Sequence, residues 1–439
     1  MVSVADQPPL HLGVNCPGLG SYRGAWRRDG VDPLGTSTPD FYVRIAQTAE
    51  RGLFDAVFTA DVPALTPTWQ TEPQRASLDP ILALTASALA TERVGVVATV
   101  STSWHHPYNL ARSIASLDRI SHGRAGWNVV TSYNPLVSPN YGLETLPPKP
   151  ERYARAREFV GVVDDLWRTW APDAIVADKD TGVFAVPGRV RPVEHRGEYF
   201  TVIGGGVVPP SEQGLPVVFQ AGASPEGLDL AARYADATFV AAATLDAARD
   251  YRRRVDAASH ARTPGRPKVL SLPGLVVTLG SSDEEARRRR DEFLDPETES
   301  GNLRMLAQRI GVAPEEIDLD APLPLDEELV ERRRHDTSEG FLRSIASLAE
   351  SGRTVREIAR YGFGHLSVAG GPKTVADTIE TWFSTGAVDG FNVMFDVIDE
   401  AFPAFVDEVV PILQERGLYR RRYHGSTLRE HLGLPVPSW

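Results

Sequence analysis

The chain has 439 residues, 42% of them hydrophobic and 24% charged, with a formal net charge of −12 and a single cysteine, Cys16. That charge argues against adhesion to nucleic acid or an anionic membrane, no stretch reaches the roughly 20 apolar residues of a membrane helix, and one cysteine leaves no internal disulfide framework. The opening residues lack the basic flank and apolar run of a secretory signal, so a soluble, cytoplasmic, globular protein is expected.

In chain order, Leu10 to Asn15 reads as a short strand. Thr38 offers an N-cap with Pro39 at the first helical position, and Phe41, Ile45 and Ala49 share one helical face. Phe54 to Asp61 is a strand ending in a carboxylate, Asp79 to Glu92 a helix, Val94 to Thr102 an almost unbroken apolar strand, and His106 to Ser121 a helix. Arg124 to Ser132 is the next strand, followed by a helix from Glu151 to Trp170. Pro216 to Gly222, Pro225 to Ala235 and Ala237 to Ala242 read as strand, helix and strand, and Val269 to Leu279 as a further strand. Thr374 to Ser384 is helical and Gly390 to Val397 a strand. Phe402, Phe405, Val406, Val409, Val410 and Leu413 form a last apolar stripe, which Pro411 should bend and Gly417 should stop.

Short, apolar, hardly alternating strands between helices predict a parallel sheet covered on both faces. About eight strand–helix units favour a closed (β/α)8 TIM barrel. An open doubly wound sheet would want a glycine fingerprint that Gly13, Gly18 and Gly20 do not make. One domain over 1–439 is expected, with insertions at about 172–215 and about 296–371. The first includes a hairpin arm around Glu198 to Val202, and the second is largely helical by pattern. In such a barrel both would shape the mouth.

His105 and His106 are adjacent and have no His-x-x-x-His companion, so no metal site is expected. Gly-x-Ser-x-Gly is absent, against an α/β-hydrolase, and Gly204-Gly205-Gly206 lacks the following Lys-Ser/Thr of a P-loop. Polar residues at predicted strand ends carry more information: Asp61, then Thr99, Ser101 and Ser103, Asn128 and Ser132, and Gln220 with Ser224. In a barrel those ends converge on one face. Gln220-Ala-Gly-Ala-Ser224 runs straight into a helix, where free N–H groups, a hydroxyl and close backbone approach suit a phosphate monoester. Ser224 is equally readable as a plain N-cap.

Gly123-Arg-Ala-Gly-Trp-Asn-Val-Val-Thr-Ser132 resembles the signature of the nitrilotriacetate monooxygenase (component A) group within the bacterial-luciferase-like flavin monooxygenases. His106-Pro-Tyr-Asn-Leu-Ala-Arg112, Glu151-Arg-Tyr-Ala-Arg-Ala156, His195-Arg-Gly197, Gln220-Ala-Gly-Ala-Ser224, Ala387-Val-Asp-Gly-Phe-Asn392 and Thr427-Leu-Arg-Glu-His-Leu-Gly433 are similar to that group in the same order. So is Val409-Val-Pro-Ile-Leu-Gln-Glu-Arg-Gly-Leu418, which contains the odd Pro411. Three places depart from the pattern. Ala25-Trp26-Arg27 is followed by Arg28 where family members often carry His, a His before that motif is missing, and Gly370-Gly371-Pro372 replaces the usual Gly-Thr-Pro.

The resemblance implies a luciferase-type (β/α)8 barrel that takes reduced FMN from a separate NAD(P)H-dependent flavin reductase, by transient contact or free diffusion. O2 is the co-substrate: one oxygen atom enters a small organic substrate and the other leaves as water. By position, the resemblance puts the FMN phosphate at Ser224 and the N–H groups near Ala223, assisted by Tyr153 and Arg152. Asp61, Thr99, Ser101 and Asn128 would border the ribityl chain and the ring. A homodimer or homotetramer is expected with it. Transfer of oxygen needs a proton or hydrogen-bond donor close by, and with the family's N-terminal His positions absent the candidates at the mouth are His365, His105 and Tyr133. A deazaflavin-dependent oxidoreductase of the same superfamily and a non-catalytic flavin-binding protein are the alternatives.

Overall fold

The computed structural model describes residues 9–75, 77–262, 265–293, 296–323, 339–360 and 364–439. β1 (His11–Cys16), α1 (Pro39–Arg51), β2 (Ala56–Thr59), α2 (Pro80–Leu89), β3 (Gly95–Ser101), α3 (Pro107–Ile120), β4 (Ala125–Val130) and α4 (Lys149–Trp167) alternate without interruption. Two antiparallel pairs follow, β5 (Ile175–Asp178) with β6 (Val183–Ala185) and β7 (Val193–Arg196) with β8 (Thr201–Gly204). The second pair is the hairpin arm expected from the sequence. β9 (Val217–Ala221), α5 (Pro225–Tyr234), β10 (Ala237–Phe239), α6 (Leu245–Arg262), β11 (Leu270–Ser271), β12 (Gly274–Leu279), α7 (Asp283–Glu292) and α8 (Pro296–Ile310) resume the alternation. Helices Glu339–Glu350 and Val355–Arg360 lead to β13 (Leu366–Gly370), the helix Pro372–Ser384 and β14 (Gly390–Phe395). Residues 324–338 and 361–363 of the predicted second insertion lie outside the described residues.

Helix starts follow local chemistry. Asp79, His106 and Ser224 each cap a helix through a side-chain atom that accepts a backbone N–H, and each is followed by proline at the first turn. Pro411 marks a distortion, as expected. It takes the form of a π-turn at Phe405–Val409, between the helices Ile398–Ala404 and Val410–Glu415.

The ten strands of the main sheet run in the order β11-β10-β9-β4-β3-β2-β1-β14-β12-β13, and every neighbouring pair is parallel. This corrects the closed eight-stranded ring expected from the sequence: the sheet is a curled half-barrel whose strand order is open. Two residues cause the difference. Leu272 and Pro273 split the expected strand 269–279, because proline offers no N–H to a ladder, so its first half pairs with β10 and its second with β14. β13 adds a strand beyond β12, inside the span predicted as the second insertion.

Alternation along the strands separates two layers. Leu12 and Val14, Val96 and Ala98, Trp127 and Val129, and Val393 and Phe395 pack outward against the helices. Phe58, Val97, Val217, Phe219 and Ala237 face inward and meet Leu428 and Leu432 from the C-terminal segment. Leu428 lies so close to β3 that a Cβ on Gly95 would sit 2.6 Å from its Cδ1. The short helix Leu428–His431 therefore plugs the end of the curled sheet where the strands begin, and leaves the opposite, C-terminal face for chemistry. Among the described residues no helix is long and apolar enough to cross a membrane.

Candidate active site

At the C-terminal face, β3 and β4 present small polar side chains inward. Thr99 and Asn128 are register partners, and Asn128 Nδ2 donates to Thr99 Oγ1 at 3.0 Å. Asn128 Oδ1 is buried with no acceptor role filled. Ser101 Oγ accepts from Ser132 Oγ at 2.7 Å and from the Ser103 N–H at 3.1 Å. His105 turns back over this strand end, with Nδ1 at 3.0 Å from the Ser101 carbonyl oxygen, so that nitrogen carries the proton. Arg155 of α4 donates to the His105 carbonyl at 3.2 Å and fixes the turn from the other side. Asp61 lies two residues beyond β2. Burial, and then the neighbouring charge of Asp79, push its carboxyl up to about 6 against the opposing pull of His105. Asp61, Thr99, Ser101, His105 and Asn128 thus gather on three adjacent strand ends.

The second cluster sits where α4 and α5 follow the paired strands β4 and β9. Ser224 is buried, and its Oγ accepts the Gly227 N–H at 3.2 Å. The Tyr153 hydroxyl of α4 lies 3.4 Å from where a Cβ on Gly222 or Gly227 would stand, so those glycines open a cradle between the hydroxyl and the start of α5. The Ala223 carbonyl accepts from Arg254 at 2.8 Å. Arg152 donates to the Pro147 carbonyl at 2.6 Å, while its Nε is buried without a partner.

Sequence reasoning missed three residues nearby. Lys149 is buried, with Nζ 3.2 Å from Glu226 and 3.3 Å from Glu339 of the insertion. Its rarity was the available signal, since only four lysines occur in the chain. Glu339 carried none, because its partner lies 190 positions away. In the sequence Asn392 is marked only as the end of the Ala387–Asn392 motif. On β14 it faces inward opposite Gly13 and Gly274, wholly buried, with both amide atoms unpartnered.

The three candidate proton donors fall on different loops. His105 belongs to the strand-end group described above. His365 precedes β13, stacked on Phe239 at 5.5 Å between ring centroids and met edge-on by Phe341 at the same distance. Tyr133 follows Ser132 but is 54% exposed. Among the described residues no group of three His, Cys, Asp or Glu side chains could hold a metal ion.

The family model for luciferase-like monooxygenases matches residues 24–389. The chain is 36% identical over 437 residues to N-acetyl-S-(2-succino)cysteine monooxygenase of Bacillus subtilis, covering 98% of this chain and 97% of that protein. It is also 36% identical over 447 residues to nitrilotriacetate monooxygenase component A of Aminobacter aminovorans, with the same coverage. A riboflavin lyase solved with modified FMN and riboflavin superposes with a TM-score of 0.83 at 29% identity, over 98% of this chain and 97% of that one. A ten-stranded parallel sheet, an inward polar rim on three strand ends and similarity over 97% of both relatives lead to one conclusion: the chain belongs to the luciferase-like monooxygenase family.

Proposed function

We propose that this chain is the oxygenating component of a two-component flavin monooxygenase, using reduced FMN from a separate NAD(P)H-dependent flavin reductase and O2 to insert one oxygen atom into a small organic substrate. The observation that carries the reading is end-to-end similarity to monooxygenases, one of them itself designated component A of its system. FMN fits the residues present. The cradle at Gly222 and Gly227, under the Tyr153 hydroxyl and at a helix start, suits a phosphate monoester. The unfilled Asn128 Oδ1 and the Asn392 amide suit a polar, hydrogen-bonding ring and chain.

When bound, reduced FMN supplies the activation of O2. Ser224, the N–H groups near Ala223 and Tyr153 would hold its phosphate, and Asp61, Thr99, Ser101 and Asn128 would border the ribityl chain and ring. Proton donation to the transferred oxygen falls to His105, His365 or Tyr133. His105 has the best placement, because it shares the rim with Ser101 and Asp61. The same proposal takes residues 1–439 as one domain. It also includes a homodimer or homotetramer, for which Leu82 and Leu89, each 72% exposed on one face of α2, offer an apolar surface.

The purified chain should not consume NADH by itself. With a flavin reductase and O2 it should oxygenate substrate, and FMN, not a deazaflavin, should raise its melting temperature. Robust NADH oxidation by this chain alone overturns the two-component reading, and selective stabilisation by deazaflavin favours hydride-transfer chemistry instead.

A further inference from the structure

Four helices bring charge to the turn at Ala223 and Ser224. Lys149 opens α4 and is buried, with Nζ 3.2 Å from a Glu226 oxygen and 3.3 Å from a Glu339 oxygen. Glu226 lies in the first turn of α5. Burial would raise its carboxyl, but its own backbone N–H, the nearby Ser224 hydroxyl and Lys149 hold it below the ordinary value. Arg254 of α6 donates to the Ala223 carbonyl at 2.8 Å. Burial, and then the charge of Arg343, hold that guanidinium below its ordinary value against the pull of Asp250 and Glu339. Glu339 stands at the start of helix Glu339–Glu350 and pairs with Arg343 of the same helix at 2.9 Å. Lys149, Arg254 and Arg343 thus meet Glu226 and Glu339 around one turn.

The helix that begins at Glu339 is also tied to the mouth. Ser344 Oγ donates to the Gly364 carbonyl at 2.5 Å and accepts the N–H of Ala243, in the loop between β10 and α6, at 2.8 Å. Gly364 has a φ of +90°, and a Cβ there would lie 2.9 Å from Phe341 Cδ1 and 3.1 Å from Ser344 Cβ. Phe341 meets the next residue, His365, edge-on, and His365 stacks on Phe239, the last residue of β10. A continuous path therefore runs from the cradle to one of the candidate donors. It passes from Ser224 to Glu226, Lys149 and Glu339, and then through Phe341 and Ser344 to Gly364 and His365. Its central ion pair, Lys149–Glu339, is buried, where solvent screens charge little.

We propose that Lys149 is a positioning residue: phosphate in the cradle acts through Glu226 and Lys149 to tighten the docking of helix Glu339–Glu350, and so sets the placement of His365. This rests on FMN as the occupant of the cradle. A phosphate monoester carries roughly −1.5 to −2 charges at pH 7, and at Ser224 it stands beside the Glu226 carboxylate. The added negative charge holds the Lys149 ammonium on that side and fixes its flexible four-carbon stem. An ammonium already fixed costs Glu339 less entropy to engage, so the helix docks more tightly once phosphate is present. Arg343 arrives on the same helix and offsets the repulsion between Glu339 and the phosphate. Riboflavin brings the same ring and ribityl chain with no charge, and leaves the helix as it was. A ligand shifts docking only through interactions that differ between the docked and loosened states, and here the phosphate is the group that makes the difference.

Hydrogen exchange on the full chain, saturated with oxidised FMN or with riboflavin, tests this without turnover. FMN should slow exchange at helix Glu339–Glu350 and at His365 at least about fivefold more than riboflavin does, the lower end of ordinary coupling between sites. Lys149→Met, which keeps the stem and removes the charge, should abolish that difference while FMN still protects α5 more than riboflavin does. Lys149→Arg should restore part of it. Glu339→Gln, which keeps the shape of the side chain, should act like Lys149→Met and takes its place if that variant does not fold. Equal slowing of the helix by both flavins in the unaltered chain overturns the proposal. So does an FMN-specific slowing that survives Lys149→Met or Glu339→Gln, since Lys149 is then a structural staple only. Equal protection of α5 by the two flavins is a different failure: it removes phosphate from the cradle and takes the FMN reading down together with the role of Lys149.

Discussion

Asp55 and Asp61 flank β2 at opposite ends, and the protein drives their carboxyls in opposite directions. Burial alone would raise Asp55, but the Arg420 guanidinium, His11 and the Leu12 N–H at 2.7 Å bring it down to about 2. Asp61, with burial and Asp79 acting together, rises to about 6. The consequences for stability have opposite sign. Asp55 contributes stability above its unfolded value that is lost as pH falls toward 2. Asp61 binds its proton more tightly folded than unfolded, so stability declines as pH rises from about 4 to about 6. Melting curves across that window should show Asp61→Asn flattening the decline. Part of it will remain, because burial also lifts Asp118 to about 6. An unchanged slope would remove Asp61 from the titrating groups. Ser224 admits an equally local test, because its cap bond and its proposed phosphate bond predict different things. Loss of the cap costs FMN and riboflavin the same. Loss of a charge-assisted bond costs FMN alone about 1.5–3 kcal/mol, so Ser224→Ala should weaken FMN relative to riboflavin by at least about tenfold, measured by fluorescence quenching.

The β7–β8 hairpin shows how an element can be held by one side chain. Glu158 of α4 accepts the N–H groups of Tyr199 and Phe200, at 3.0 and 2.8 Å, and lies 3.0 Å from His195 Nε2. Arg155, one turn earlier on the same helix, lies over the Phe200 ring and donates to His105. Glu158→Gln replaces a carboxylate with a weaker acceptor, so amide exchange at Tyr199 and Phe200 should accelerate by about tenfold, while the strands of the main sheet keep their protection. Equal protection in the variant would mean that packing alone seats the hairpin. Elements of this scale were legible in the sequence to different degrees. β3 and β4 were legible because a strand buried on both faces is an apolar run, and in such runs Thr99, Ser101 and Asn128 stand out as polar exceptions. β13 was not, since Leu366–Gly370 is short, half-buried and adjoins a helical stretch. β5 and β6 are exposed on both faces, so no alternation marked them. The split at Leu272 and Pro273 could not be foreseen, because the pairing choice depends on β10 and β14, which reach it from opposite directions. The Lys149–Glu339 contact shares that reason: it joins segments remote in sequence, and no local pattern encodes which distant side chain will arrive.

At the scale of the whole molecule, the C-terminus completes what the N-terminus begins. β14 is the outer partner of β1, the Leu10 N–H donates to the Leu418 carbonyl at 3.1 Å, Arg420 pairs with Asp55, and Leu428 and Leu432 fill the space between Val97, Val217 and Phe219. Leu428→Ala should therefore destabilise the protein by about 2–5 kcal/mol, as for a fully buried leucine whose neighbours cannot collapse into the gap. A loss below about 1 kcal/mol in denaturant titration would show that the plug is dispensable. The pairing of β1 with β14 also sets a clock on synthesis. Gly390 emerges 374 residues after Cys16, which at 5–20 residues per second is roughly 20–75 s of translation. Through that interval β1 can pair with β2 on one side only, with the opposite row of N–H and C=O groups unclaimed and Leu12 and Val14 beside it. The nascent chain thus carries a sticky edge until β14 is made, and the rate at which the stretch from β1 to β14 is translated governs how long that edge stays open to the wrong partner.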